Sequence, residues 1–472
     1  MPILIVVGGV TFVYSTLEAM LAPALPLIQA GVGGTSSSIA WVFTGLLLSG
    51  AVCTPLIGRL GDLYDKKRLF IAVLAIVALG TALAGLATNV PVLAIGQMMQ
   101  GTGLGLTPLS IGLMRDVLPG DRVKSGNALI IGTSSLGVVA GPLLAGPLTS
   151  VMSYRWLFWL PFFLLAVLTG LAFSMVPTSA TANATTAAAA AAKHGSVDWL
   201  GAGLLGGGLL ALLTGLTLVP TWGWASGGFV ALAVAASALL TAFVMTQRRL
   251  ANPLIDLRVR GRTVFVVCAV SFAVGWAVFA TYTALPTITA APTTTGYGLA
   301  SDATVTGWIL VPSGVLAGAS AFVVRPLERL VGAKVLLVAS CVPILAAPGV
   351  LLLDRPSLGL LITSSALMGL GIGLGLTQAM NIVVTAVPAA RATSLTGLMF
   401  VVRAVGGSLG AQVGGSTLAG DVIPSTTLPT WSAFTTMLTI SVLIGVLAVL
   451  VAAALPRRSG AVPDPAGARA PV

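Results

Sequence analysis

Apolar residues run along this chain in long unbroken blocks, not in the one-faced or alternating patterns of soluble helices and strands. About 20 such residues in a helix cross the hydrocarbon core of a bilayer. Fourteen blocks reach or approach that length: 3–28, 37–57, 69–88, 91–112, 125–149, 157–176, 199–219, 226–246, 263–288, 304–323, 334–353, 358–385, 392–417 and 431–455. The breaks hold turn residues, as in Thr88-Asn89-Val90-Pro91 and Pro220-Thr221-Trp222-Gly223. The pattern predicts an all-α polytopic membrane protein with fourteen transmembrane helices. Residues 177–198 pass through a polar stretch and an alanine run to Lys193-His194-Gly195, and are expected to be a flexible linker. The tail 456–472, rich in Pro, Gly and Arg, is expected to be disordered.

Composition strengthens this class. Hydrophobic residues make up 57% of the 472 and charged residues only 7%, with a mean hydropathy of +1.05. Soluble domains carry roughly 25% charged residues, so lipid must solvate most of this surface. The first block starts at Ile3 without a basic leader and runs too long for a signal peptide, which predicts a retained span. Cys53, Cys268 and Cys341 all fall in apolar blocks, and His194 is the single histidine. Neither a disulfide framework nor a metal site is expected from these residues.

The net charge of +11 sits in short clusters at alternate breaks. Arg59, Lys66, Lys67 and Arg68 follow the second block, and Arg115, Arg122 and Lys124 follow the fourth. Arg248, Arg249, Arg258, Arg260 and Arg262 follow the eighth, whereas only Arg155 and Arg355 fall in the opposite set of loops. Positive charge marks cytoplasmic loops. Fourteen spans with both termini in the cytoplasm satisfy that rule, and no nucleic-acid partner is needed to explain the charge.

A seven-residue string recurs: Gly101-Thr-Gly-Leu-Gly-Leu-Thr107 and Gly371-Ile-Gly-Leu-Gly-Leu-Thr377 share six identities. Each copy lies in the fourth helix of a six-helix group once the pair 199–246 is set aside. This predicts an N-terminal bundle over 1–176, an inserted helix pair over 199–246 and a C-terminal bundle over 247–455. Many alternating-access transporters are built from such parallel repeats, with substrate held between the halves.

The loop Gly58-Arg59-Leu60-Gly61-Asp62-Leu63-Tyr64-Asp65-Lys66-Lys67-Arg68 resembles the cytoplasmic loop motif of the major facilitator superfamily, with Asp65 in place of a usual glycine. Gly137-Val-Val-Ala-Gly141-Pro142-Leu-Leu-Ala-Gly146 resembles that superfamily's antiporter motif in the fifth span. Three further segments are similar to its fourteen-helix drug:proton antiporter branch: Tyr154-Arg155-Trp156-Leu-Phe158, Asp198-Trp199-Leu200-Gly201 and Asn252-Pro253-Leu254-Ile255. The resemblance implies export of small lipophilic or cationic compounds by proton antiport, powered by the proton gradient without a cofactor. It also implies a protein acting as a monomer in a bacterial inner membrane, with substrate, protons and lipid as its partners and no enzymatic reaction. Gating is then expected at Gly58, Asp62, Lys66 and Lys67 and at Gly137, Gly141, Pro142 and Gly146. Export or uniport of an endogenous metabolite is the alternative, and a polytopic membrane protein without transport activity is the last. One position departs from the branch: Gln97 stands where an arginine implicated in proton coupling is usual, and an amide cannot supply a fixed charge.

Glu18 is the one acid inside an apolar block. A charge at mid-bilayer costs about 2.5–3.5 kcal/mol on insertion scales, so Glu18 needs a partner, water or a proton, and is the expected coupling group. Arg403 is the one cation inside a block; pairing with Glu18, contact with substrate and snorkelling are all open to it. Gln97, Gln100, Asn127, Gln378, Asn381 and Gln412 are the polar residues expected to line a cavity with Arg403. Trp276, Phe279 and Tyr282 share one helical face, expected to meet lipid or core rather than to cage a ligand.

Overall fold

A computed structural model describes residues 2–117, 120–176, 197–250, 253–255, 261–386 and 389–455. Most of the expected linker 177–198 and all of the tail 456–472 lie outside the described residues, as do the side chains of Asp62 and Asn127. Every block becomes helix, and among the described residues the one β-type contact is the isolated bridge Val422–Pro429.

The first group comprises α1 (Pro2–Val32), the single turn α2 (Ser36–Ile39), α3 (Trp41–Leu63), α4 (Lys66–Leu86), α5 (Val90–Gly101), α6 (Leu106–Val117), α7 (Gly120–Val151) and α8 (Trp156–Met175). The inserted pair is α9 (Trp199–Trp222) and α10 (Gly227–Arg249). The second group comprises α11 (Arg262–Ala290), α12 (Ala303–Val331), α13 (Ala333–Val350), α14 (Leu358–Ala386), α15 (Ala389–Gly420) and α16 (Trp431–Ala453). Thirteen of the described helices are long and apolar enough to cross a membrane.

The remaining expected span, the fourth at 91–112, is not one helix. It breaks at a 3-10 turn over Thr102–Gly105, between α5 and α6. The turn sits where α1 presses on the chain: a Cβ on Gly103 would collide with the Tyr14 ring. In the second copy the counterpart Gly373 is pressed as closely, by Ala317 O and the Ser320 hydroxyl of α12, yet α14 stays continuous.

Partner choice repeats between the groups. In the first, α1 packs on α7 and α8, α3 on α5, and α4 on α5 and α8. In the second, α11 packs on α15 and α16, α12 on α14, and α13 on α14 and α16. Two six-helix bundles of like topology therefore face each other, touching through α7–α12, α3–α15 and α1–α11.

The inserted pair is tied down at its join with the second bundle. The Asp198 carboxylate caps α9 by accepting from Gly201 N at 2.7 Å, and it accepts from Gln247 Nε2 at the end of α10. Gln247, fully buried, in turn accepts from Ile255 N at 3.0 Å. Asp198→Ala is expected to cost about 1–2 kcal/mol for the cap and about 1–3 kcal/mol for the orphaned amide. A lower thermal midpoint in detergent would register this, with Asp198→Asn intermediate.

Candidate functional site

Gly137 and Gly141 sit one turn apart on α7, against α1: a Cβ would come within 2.5 Å of Phe12 O and 2.7 Å of Thr16 O. The resulting close approach lets Thr11 and Ser15 of α1 meet Thr133 and Ser134 of α7, each pair at 2.7 Å. Pro142 and Gly146 fall about 100° further round the same helix and face the other bundle. Gly146 lies on Thr304, and Gly307 lies on the Pro142 carbonyl. The antiporter-like segment is thus two stripes, one fixing α7 inside its own bundle and one closing it against α12.

The closure is polar where α3 meets α15. Gln412 Nε2 donates to Ser37 O at 3.1 Å, and Thr44 Oγ1 donates to Gln412 Oε1 at 3.3 Å. The inserted pair joins at the same level: Ser37 Oγ donates to Thr217 O, Trp41 Nε1 to Thr217 Oγ1, and Ser416 Oγ to Leu216 O. All these contacts lie toward the end where α1 and α15 terminate. Going the other way along α12, the packing on α7 runs from Thr304 to Gly318, and beyond it Phe322, Arg325 and Arg329 are exposed. The bundles are closed at one end and uncovered along α12 at the other.

Glu18 stands between these levels. From Val13 to Leu25 it is the one residue of α1 that is not fully buried. Arg403 on α15, also partly accessible, is near enough for direct coulombic coupling to Glu18, and Tyr282 on α11 lies within the field of both. Tyr14, one turn before Glu18, feels its charge and donates its hydroxyl to Gln100 O at 3.2 Å. Phe43, Phe279 and Tyr282 pack with ring centroids 5.5–6.1 Å apart, joining α3 to α11 across the bundles.

The other expected cavity residues with described side chains have the following surroundings. Gln97 and Gln100 are fully buried along α5, with no partner for either side-chain amide. Gln378 donates to Ala333 O at the start of α13. Asn381 donates to Glu328 Oε2 at 3.4 Å, at the end of α12. Gln412 belongs to the closure. Trp276, Phe279 and Tyr282 are buried in the core and not turned to lipid; Trp276 donates to Ser441 Oγ at 3.1 Å. Gly58 is exposed and free of close neighbours, whereas the Lys66 stem lies over Gly112 and Lys67 lies 5.8 Å from the Phe173 ring centroid. Sequence reasoning missed Phe43, Tyr14 and Glu328. The ordinary hydrophobic identity of the first gave no signal, and the other two are legible only once helix partners are known.

Solved structures share this architecture. The nucleoside transporter NupG superposes with a TM-score of 0.67 at 14% identity, over 96% of this chain and 99% of that one. The POT family transporter PepTSo gives 0.64 at 15% identity, over 95% and 96%. Among curated proteins, an uncharacterized MFS-type transporter of Mycobacterium tuberculosis is 31% identical over 308 residues, 64% of this chain. The match spans less than half, 42%, of that relative's length. The tetracenomycin C resistance and export protein of Streptomyces glaucescens is 28% identical over 90% of this chain and 77% of its own. The multidrug resistance protein Stp of M. tuberculosis is 28% identical over 85% and 73%. A sequence profile matches residues 7–287, more than half of the chain, and with the two facing bundles it makes this multi-pass membrane protein a member of the Major Facilitator Superfamily.

Proposed function

We propose that the protein is a secondary active exporter of small lipophilic compounds, cations among them, driven by proton antiport. The observation that carries this reading is Glu18, an acid deep in the bundle that stays partly accessible and feels the opposite charge of Arg403. A group so placed can hold either a proton or a substrate cation, and that competition couples their movements. A potential near ~150 mV supplies about 3.5 kcal/mol per proton, roughly a 300-fold substrate gradient. With Gln97 uncharged, coupling rests on Glu18 and its neighbours, not on α5.

The bundles 1–176 and 247–455 rock about the site, and the pair 199–246 moves with the closure it joins. The chain works as a monomer in a bacterial inner membrane, with both termini in the cytoplasm as the basic loops favour. The closed end then faces outward, and the conformation is inward-facing. The Streptomyces relative, a tetracenomycin C resistance and export protein, supports a second reading, in which the cargo is an endogenous metabolite. Purified protein in liposomes with an imposed pH gradient tests the proposal: a lipophilic fluorescent cation should move against its own gradient and stop when an uncoupler is added. Movement only down its own gradient, unchanged by the uncoupler, would point instead to facilitated diffusion.

A further inference from the structure

Pro220 stands inside the last turn of α9. Proline has no N–H to give, so the carbonyl four residues back, Leu216 O, loses its helical donor. Ser416 Oγ of α15 supplies one in its place, at 2.6 Å. Beside it, Thr217 O accepts from Ser37 Oγ at 2.7 Å, and Thr217 Oγ1 accepts from Trp41 Nε1 at 2.8 Å. One turn of α9 is thus bonded to both sides of the seam where α2 and α3 meet α15. That seam is tight at the same level, since a Cβ on Gly415 would come within 2.6 Å of Ser36 O. If the bundles part here, α9 must let go of one of them.

The two sides are unequal. Leu216 O has no donor within α9, so losing Ser416 would leave a carbonyl bare, which the interior of a membrane penalises. Thr217 can satisfy itself: its hydroxyl already donates to Leu213 O at 2.8 Å, and Thr221 has an N–H in helical register with its carbonyl. The other end of the pair leans the same way. Asp198 and Gln247 bind the start of α9 and the end of α10 to the N–H groups of Leu254 and Ile255, on the segment that leads into the second bundle.

We propose that the Pro220 turn is a release latch: α9 and α10 travel with the second bundle, and the Ser37 and Trp41 bonds to Thr217 break when the closed end opens. Trp41 and Thr217 then hold the closed form alone, whereas Ser416 and Leu216 O hold both forms. The inference rests on the rocking of the bundles in the exporter reading.

Spin-label distances in the full-length protein test it, in a background with Cys53, Cys268 and Cys341 replaced by alanine. Labels are placed in pairs at three exposed positions of the closed end: Ala30 after the first span, Thr221 on α9 and Val422 beyond α15. Gly146→Ala, whose Cβ would strike Thr304, should lengthen the 30–422 and 30–221 distances together and leave 221–422 unchanged. A 221–422 distance that lengthens overturns the inference and keeps the rocking. A 30–422 distance that never lengthens, in this variant or in Gly307→Ala, removes the rocking and the latch with it. Single hydroxyl deletions decide the matter without either glycine variant. Thr217→Val should raise the share of molecules with a long 30–422 distance by about 3- to 10-fold, the net worth of one hydrogen bond. Ser416→Ala should lower the thermal midpoint and leave that share unchanged. No shift with Thr217→Val, or an equal shift with Ser416→Ala, also overturns the inference.

Discussion

Replacing Glu18 by Gln is expected to abolish accumulation of substrate against its gradient while leaving downhill exchange of an uncharged substrate in place. Glutamine matches the shape of glutamic acid and keeps its hydrogen-bonding capacity, but it cannot take up or release a proton. The bundle has no second acid to substitute: among the intramembrane positions Glu18 stands alone. Its carboxylate lies where an uncompensated charge costs about 2.5–3.5 kcal/mol on insertion scales, so its proton occupancy follows which side of the membrane can reach it. Loss of that occupancy should remove nearly all of the roughly 300-fold gradient available from ~150 mV. Reconstituted vesicles separate the two activities, since counterflow measures exchange and an imposed pH gradient measures coupling. Glu18→Asp should retain coupling at reduced rate. Undiminished uphill transport by Glu18→Gln would remove Glu18 from the mechanism.

A second large effect is expected at the closed end. Alanine at Gly146 would drive its Cβ into Thr304, and alanine at Gly307 would drive its Cβ into the Pro142 carbonyl. Both clashes lie between α7 and α12, so they burden the conformation in which these helices touch and spare the one in which they part. Overpacking costs about 1–3 kcal/mol per site, which shifts the two-state population by roughly 5- to 150-fold. Spin labels across the two ends should report separation at the Gly146 end and approach at the other, with little change in thermal midpoint. Gly275→Ala provides the contrast. Its Cβ would meet Arg403 O within one bundle, a clash present in both conformations, and the expected result is loss of folded protein. Gly146→Ala that lowers stability as much as Gly275→Ala, with unchanged distances, would show that α7 and α12 do not separate.

The element boundaries were largely legible because the apolar blocks leave the chain few choices: in lipid each must satisfy its backbone internally as a helix. The break in the fourth span was not legible. The string Gly-x-Gly-Leu-Gly-Leu-Thr is helical at 371–377 and partly 3-10 at 101–107, so the string alone does not decide its own backbone. The same limit governs the site. Glu18 could be singled out by its charge alone, and pairing with it was one of several roles open to Arg403. The glutamines could not be placed, because glycine-rich helices present small residues on several faces and any of those faces can be buried. Gln412 looks in sequence like Gln97, yet one binds across the bundles and the other packs within its own. Glu328 at the end of α12 gave no sequence signal of its own, and its partner Asn381 lies 53 residues on, across a helix contact that only the fold reveals.

The hydrogen bonds at Leu216 and Thr217 bear on what kind of object the extra helix pair is. One turn of α9 takes a hydroxyl from Ser37 in the first bundle and from Ser416 in the second, while its threonine side chain takes the Trp41 indole. Excising 199–246 to make a twelve-helix protein would turn those three donors toward hydrocarbon. The minimal chain would carry a polar seam down its flank and would need new apolar side chains at 37, 41 and 416 before it could live in a membrane. The pair is masonry set into the wall, and shortening this transporter means rebuilding the wall around the gap.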